Sequence, residues 1–170
     1  MPDPALWYFA YGSNMSEAIF LGRRRMQPLA TRRARLEDHR LCFDLPVGPG
    51  ERGVANLRRQ VGSHVWGVLY LLGAEDFRRL DRTEGVHRGY YERTAVEVIA
   101  DGNQRVAAFT YRSSASVDGR KPSARYLGLL LEGAKEHELP AEYVRALASL
   151  DLARDERVGE PAPPPDRRSL

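Results

Sequence analysis

An aromatic strand that stops at a tight, amide-rich turn is the feature that most restricts the fold of this chain. Residues 7–12 (WYFAYG) form a β-prone aromatic run that ends at a glycine. Residues 13–17 (SNMSE) supply side chains typical of a helix N-cap, so Glu17 and Ile19 are expected to start a short helix. Free backbone N–H groups at such a strand–turn–helix junction point outward and favour an anion.

A second stretch, about seventy residues further along, places one carboxylate among turn-forming residues. Residues 74–83 predict a helix with Phe77 and Leu80 on one face, and Glu84 follows directly, before Gly85. A solvated surface glutamate or a cap for the next turn would explain Glu84 without any function. Combined with the first turn, however, this carboxylate gives an anion cradle and a general base. These two elements suffice for acyl transfer without a metal or a covalent nucleophile.

The remaining periodic segments predict an α+β fold with a mostly antiparallel or mixed sheet. Strands are expected at residues 41–45, 54–57, 64–72, 91–99 and 106–111, with a hairpin turn at 101–103. Further helices are expected at residues 122–137 and from Pro140 to about Leu150. The pattern leaves open whether the sheet closes into a barrel.

One domain fits the length of 170 residues, and we expect it to span residues 1–153. From residue 154 the chain becomes charged and proline-rich, which predicts a loosely attached tail over residues 154–170. The single cysteine, Cys42, excludes an internal disulfide and favours the reducing cytoplasm. We expect neither a signal peptide nor a membrane helix, because no apolar run approaches the required length. The net charge of +3, with acidic residues interleaved among the arginines, argues against nucleic-acid binding.

Other reaction chemistries find weaker support in the sequence. The four histidines are scattered, so no metal site is expected. Residues 12–14 do not form the G-x-S-x-G elbow of serine hydrolases, so Ser13 is expected to contribute its backbone amide rather than a nucleophilic hydroxyl. Cys42 lies in an apolar strand pattern, which is typical of a buried and unreactive thiol. Covalent catalysis is therefore the weaker option.

Five blocks of sequence together resemble the γ-glutamylcyclotransferase family. They are residues 11–15 (YGSNM), 65–68 (VWGV), 80–86 (LDRTEGV), 89–91 (GYY) and 133–140 (GAKEHELP). The blocks occur in the family's order, and the resemblance covers roughly residues 7–150. The first block alone is moderately specific, whereas its combination with the third and fifth is highly specific. The departures are Met15, where leucine is common, and the adjacent His87 and Arg88 inside the glutamate loop.

The resemblance implies a compact α+β fold around a small mixed β-barrel of about five to six strands. It also implies a cytoplasmic enzyme of glutathione metabolism that needs no cofactor or metal. Such an enzyme converts γ-glutamyl amino acids or peptides to 5-oxoproline and a free amine. By position, Glu84 matches the family's catalytic glutamate. The positions that match substrate-binding residues are Tyr11, Gly12, Ser13, Asn14, Tyr91 and Tyr126.

This chemistry accounts for the residue types, because the substrate's own α-amine attacks its own γ-amide carbonyl. Holding the substrate bent is a proximity effect. One carboxylate can remove the ammonium proton and later protonate the leaving nitrogen. Two alternatives stay open. One is removal of a γ-glutamyl protecting group from a biosynthetic intermediate by the same chemistry, and the other is a non-catalytic module that binds a γ-glutamyl ligand.

The expected partner is a small-molecule γ-glutamyl substrate, without nucleic acid or membrane, and a homodimer is left open. The acceptor half of the substrate is expected near His87, Arg88 and the polar loop at residues 113–119. A guanidinium there would favour an acceptor that carries a carboxylate. A solvated surface position would equally explain Arg88.

Overall fold

The fold is a closed five-stranded β-barrel with helices packed on its outside. The computed structural model describes residues 2–154, so the expected tail lies outside the described residues except for Arg154. The strands are β1 (Leu6–Ala10), β2 (Ala30–Pro46), β3 (Gly53–Leu72), β4 (Glu92–Ala100) and β5 (Gln104–Arg112). The α-helices are α1 (Ala74–Thr83), α2 (Ala124–Glu136) and α3 (Ala141–Ala148). Shorter helical segments occur at Ser13–Met15, Ala18–Arg23, Val86–Arg88 and Asp101–Asn103.

The barrel runs in the order β1-β3-β2-β4-β5, and β5 returns to β1. The closing contact pairs Tyr8 with Phe109 in parallel, whereas the other strand pairs are antiparallel. The sheet is therefore mixed, and the α+β barrel expected from the resemblance is confirmed. Closure leaves the sheet without a free edge along these strands.

Two strands are longer than the sequence pattern indicates. β3 is one strand that joins the segments expected at 54–57 and 64–72, and β2 begins at Ala30 rather than near residue 41. The β2–β3 register shifts between the Glu37–His64 and His39–Arg59 pairs, so residues 60–63 form a bulge. This bulge interrupts the alternation that would otherwise mark one continuous strand.

An aromatic cluster packs the π-helical segment Ala18–Arg23 against strands β1 and β3 of the barrel. Phe20 stacks on Tyr70 of β3 with ring centroids 4.1 Å apart, and Tyr8 stacks on Phe20 at 5.8 Å. Phe77 of α1 meets Tyr8 edge-on, which joins the first α-helix to the same cluster. This packing holds the Ala18–Arg23 segment and helix α1 on the same side of the barrel.

Candidate active site

Glu84 stands at the C-terminal end of α1, as the sequence predicts, and the local chain geometry holds it there. Its backbone N–H donates to the Leu80 carbonyl at 2.8 Å. Gly85 follows with φ of +70°, the left-handed conformation that commonly ends a helix. A Cβ atom on Gly85 would also lie 2.6 Å from the Tyr90 ring, so both the conformation and the space favour glycine.

The helix that carries Glu84 is tied to the barrel through Asp81. The Asp81 carboxylate accepts a hydrogen bond from the Tyr111 hydroxyl of β5 and forms an ion pair with Arg93 of β4. The Arg93 guanidinium also lies 4.3 Å from the ring centroid of Phe77. These contacts reach two strands from one helix, so the position of Glu84 follows that of the barrel.

Asn14 connects the turn after β1 directly to Glu84. Its amide Nδ2 donates to Glu84 Oε1 at 2.9 Å and to the Tyr8 hydroxyl at 2.9 Å. Tyr70 holds the turn by donating its hydroxyl to the Asn14 backbone carbonyl at 2.9 Å. The expected N-cap chemistry is wrong, because no side-chain cap hydrogen bond forms at either helical segment that follows β1. Asn14 points instead toward the carboxylate.

A cavity joins these residues. Its empty space amounts to about 350 Å³, part of it open to solvent. All seven residues that the sequence assigned to the site line it, namely Tyr11, Gly12, Ser13, Asn14, Glu84, Tyr91 and Tyr126. Three further lining residues, Tyr8, Ala55 and Tyr111, were missed. The aromatic run signals Tyr8, but strand alternation places it on the face opposite Tyr11. Both reach the cavity because the strand ends at Ala10 and the chain turns.

Three of the five lining tyrosines use their hydroxyl hydrogens within the protein. Tyr11 donates to the Tyr111 backbone carbonyl at 2.5 Å, and Tyr111 donates to Asp81 at 2.5 Å. Tyr91 donates to the Ala55 carbonyl at 2.7 Å. These three phenols therefore link the elements that form the wall of the cavity.

Tyr8 and Tyr126 differ, because their hydroxyl oxygens accept hydrogen bonds. Tyr8 accepts from Asn14, and Tyr126 accepts from the Ala55 backbone N–H at 3.1 Å. Among residues 2–154 no hydrogen bond that uses either hydroxyl as donor is found. Two phenolic hydrogens are thus available to a bound molecule.

Burial dominates the electrostatics of the cavity. It raises the pKa of Glu84, while the nearby Arg24 guanidinium and the Asn14 hydrogen bond act in the opposite direction. The Arg24 Nη2 atom lies 3.9 Å from Glu84 Oε1. Burial likewise raises the pKa of the lining phenols, to about 12 for Tyr126, so they stay protonated near neutral pH. Glu84 is the one carboxylate among the described residues that line the cavity, and its raised pKa favours holding a proton more than an exposed glutamate does.

Gly12 allows the turn to approach the opposite wall of the cavity. A Cβ atom at this position would lie 3.1 Å from the Tyr126 hydroxyl and 3.2 Å from the Ala55 Cβ. A second glycine, Gly133 of α2, lets that helix contact the same turn, because a Cβ there would lie 2.4 Å from the Met15 backbone. Both glycines are therefore required because the chain passes close to its neighbours, and not because of a left-handed conformation.

Other residues considered from the sequence lie outside this cavity. His87 and Arg88 are exposed in the segment Val86–Arg88, and neither lines the cavity, nor does any residue of 113–119. Cys42 is half-buried, and burial raises the pKa of its thiol to about 11, as expected for an unreactive cysteine. Within the described residues, no three His, Cys, Asp or Glu side chains converge on a metal site. Every helix in this part of the chain is too short or too polar to span a membrane.

Comparison with known proteins agrees with the arrangement of the barrel. The family model of the AIG2-like family matches residues 64–147. The γ-glutamylcyclotransferase of Bos taurus is 33% identical over 149 residues, which cover 85% of this chain and 78% of the bovine protein. The γ-glutamyl cyclotransferase gliK of Claviceps purpurea is 34% identical over 145 residues, covering 79% of this chain and 65% of the fungal protein.

A solved structure of a γ-glutamyl cyclotransferase has the same fold. It superposes with a TM-score of 0.80 at 27% identity and covers 92% of each chain. The closed mixed barrel with its flanking helices is therefore that of the cyclotransferase class. The chain belongs to the γ-glutamylcyclotransferase family and is an enzyme of that kind.

Proposed function

We propose that this enzyme converts γ-glutamyl amino acids or peptides to 5-oxoproline and a free amine, with Glu84 as general base and then general acid. The observation that carries the proposal is the 2.9 Å hydrogen bond from Asn14 Nδ2 to Glu84 Oε1 inside a cavity walled by phenols. Glu84 supplies the one carboxylate among the described residues that line this cavity. A nearly buried carboxylate with a fixed orientation and a raised pKa is suited to exchange a proton.

The reaction needs no nucleophile from the protein. Glu84 takes a proton from the substrate's α-ammonium, and the freed amine attacks the γ-carbonyl carbon to form the ring C–N bond. The tetrahedral intermediate then collapses, the bond to the acceptor nitrogen breaks, and Glu84 returns the proton to that nitrogen. The ring nitrogen still carries two hydrogens after the attack, and Glu84, ionised again once the acceptor nitrogen is protonated, takes one of them. This second proton passes to the departing amine, so 5-oxoproline leaves with an ammonium ion and the carboxylate is regenerated.

The developing oxyanion requires hydrogen-bond donors that are already in place. Tyr8 and Tyr126 fit this role, because each hydroxyl accepts a hydrogen bond from the protein and keeps its own hydrogen available. The turn at residues 12–14 lines the same cavity, and backbone N–H groups of such a turn are suited to hold the substrate carboxylate or the oxyanion. We assign the oxyanion to the phenols and leave the turn for the carboxylate.

A substrate panel tests the proposal. We expect purified enzyme to release 5-oxoproline from γ-glutamyl amino acids, as measured by chromatography. γ-Glutamyl amines and glutathione are the alternative substrates whose rates of release are compared with it. N-acetyl-γ-glutamyl amino acids are the matched control, since acetylation removes the attacking amine. No 5-oxoproline from any member of the panel, with binding intact, would instead favour a ligand-binding module. Release only from bulky acceptors would favour removal of a γ-glutamyl protecting group.

A further inference from the structure

Arg24 is a buried cation directly behind the proposed base. Its side chain is only 5% exposed, whereas Arg23 and Arg25 on either side are exposed. The Nη2 atom lies 3.9 Å from Glu84 Oε1, which is within ion-pair range and longer than a hydrogen bond. The Nε and Nη1 atoms are buried, and neither has a hydrogen-bond partner among the described residues.

The burial of Arg24 with unpaired N–H groups does not stabilise the folded protein. A buried guanidinium normally has its N–H groups paired, and leaving donors unpaired in a buried site costs free energy. Neighbouring Arg23 shows that a solvated arginine is compatible with the same segment. Stability therefore does not explain why Arg24 is buried. A functional role does, because the charge of Arg24 faces Glu84.

The backbone around Arg24 is held in an uncommon shape. The Arg24 N–H donates to the Ile19 carbonyl at 2.8 Å, a five-residue π-type bond that ends the segment Ala18–Arg23. The Arg24 carbonyl accepts a hydrogen bond from Arg79 Nη2 of α1 at 3.0 Å. π-turns are rare in proteins overall, and those that occur are often found at functional sites. This one directs Arg24 inward and ties it to the helix that ends at Glu84.

We propose that Arg24 is a positioning residue for Glu84, whose buried charge keeps the carboxylate ionised and oriented until the substrate's ammonium arrives. This role rests on the proposed function of Glu84 as the base. Arg24 does not line the cavity, so it acts through Glu84 and not on the substrate.

No other cation performs this task for Glu84 among residues 2–154. Asn14 contributes a neutral hydrogen bond, and the charge that acts on the carboxylate comes from Arg24. Asp81 on the same helix is already paired with Arg93. The groups that face Glu84 from the remaining elements are protonated phenols, namely Tyr8, Tyr11, Tyr91, Tyr111 and Tyr126.

The first test is the pH profile of kcat/KM for neutral variants at position 24. We expect Arg24→Gln and Arg24→Met to shift the acidic limb upward by about one to three pH units and to regain most of the activity at high pH. Arg24→Lys should shift the limb less, because it keeps the charge, and the exposed Arg23→Gln is the matched control. An unshifted limb in the Arg24→Gln variant would overturn the proposal. So would a uniform loss at every pH that Arg24→Lys does not rescue.

A second test does not depend on catalysis or on the neutral variants folding. In the wild-type protein without substrate, NMR should show the Arg24 Nε–H resonance shifting with the same pH midpoint as the Glu84 carboxyl carbon. Glu84→Gln should abolish that shift, whereas the resonance of the exposed Arg23 should not report the midpoint. An Arg24 resonance that does not respond to Glu84 would refute the pairing even in an active enzyme. Conversely, coupled titration in an inactive protein would leave the pairing standing and reject the proposed function.

Discussion

Asn14 Nδ2 lies 2.9 Å from Glu84 Oε1, although seventy positions separate the two residues in the chain. The same nitrogen donates to the Tyr8 hydroxyl, so one amide orients both the proposed base and a proposed oxyanion donor. Asn14 Oδ1 is buried without a hydrogen-bond partner among the described residues. A buried acceptor without a partner needs a donor, and we expect the α-ammonium of the substrate to provide it.

Glu84→Gln should lower kcat by about 10²–10⁴-fold while substrate binding and folding persist, because the change keeps the shape and removes the base. Rapid-quench measurement of 5-oxoproline formation and equilibrium dialysis with substrate would separate the two effects. Glu75→Gln, at an exposed position on the same helix, is the matched control. A Glu84→Gln enzyme that retained more than about a tenth of wild-type kcat would exclude Glu84 as the base.

The same substitution should change how stability depends on pH. Burial raises the pKa of Glu84 above its ordinary value of 4.5, so the folded state holds this proton more tightly than the unfolded state. The resulting stabilisation is fully present below the unfolded pKa and is lost as pH rises through the folded pKa. The Tm of wild type minus that of Glu84→Gln should therefore decrease across this window, measured by calorimetry. A difference that increases with pH would show that Arg24 and Asn14 outweigh burial.

Much of the fold could be predicted because apolar residues recur with a clear helical or strand period in most of its segments. Helix α1 has the predicted bounds, 74–83, and β4 and β5 lie within two residues of theirs. The start of β2 was missed because long arginines cover its outer face, where Arg33 pairs with Asp101 and Arg35 with Glu37. Such a segment resembles a solvated charged run until its neighbours are known.

The residues of the site likewise include some that the sequence indicates and some that it does not. Glu84 and the turn at residues 12–14 are local motifs, and the cavity contains both. Tyr111 and Arg24 carry no local signal, because barrel closure determines one and a buried π-turn determines the other. In sequence, Arg24 is the middle of three arginines and resembles a surface basic run. Only tertiary packing distinguishes it from its neighbours.

Gly12→Val should weaken substrate binding much more than Ser13→Ala. A Cβ on Gly12 already meets the Tyr126 hydroxyl at 3.1 Å, and the γ-methyl groups of valine would extend into this contact. Ser13 is expected to act through its backbone amide, which alanine retains. Calorimetric titration with a non-cleavable substrate analogue and thermal unfolding of both variants would check this order. A folded Ser13→Ala enzyme without activity, combined with a trapped acyl-enzyme in the wild type, would restore serine as a nucleophile.

Tyr8→Phe and Tyr126→Phe should each lower kcat with a smaller change in KM. The expected loss is on the order of 10²–10³-fold, the range for one oxyanion donor. Tyr91→Phe is the informative contrast, because its hydroxyl donates to the Ala55 carbonyl at 2.7 Å and has no hydrogen left for substrate. That variant should lose stability, by about 1 kcal/mol, and retain more of its kcat. Steady-state kinetics and chemical denaturation of the three variants would test the division. Equal losses of kcat in all three would show that the phenols act together as a wall and not as separate donors.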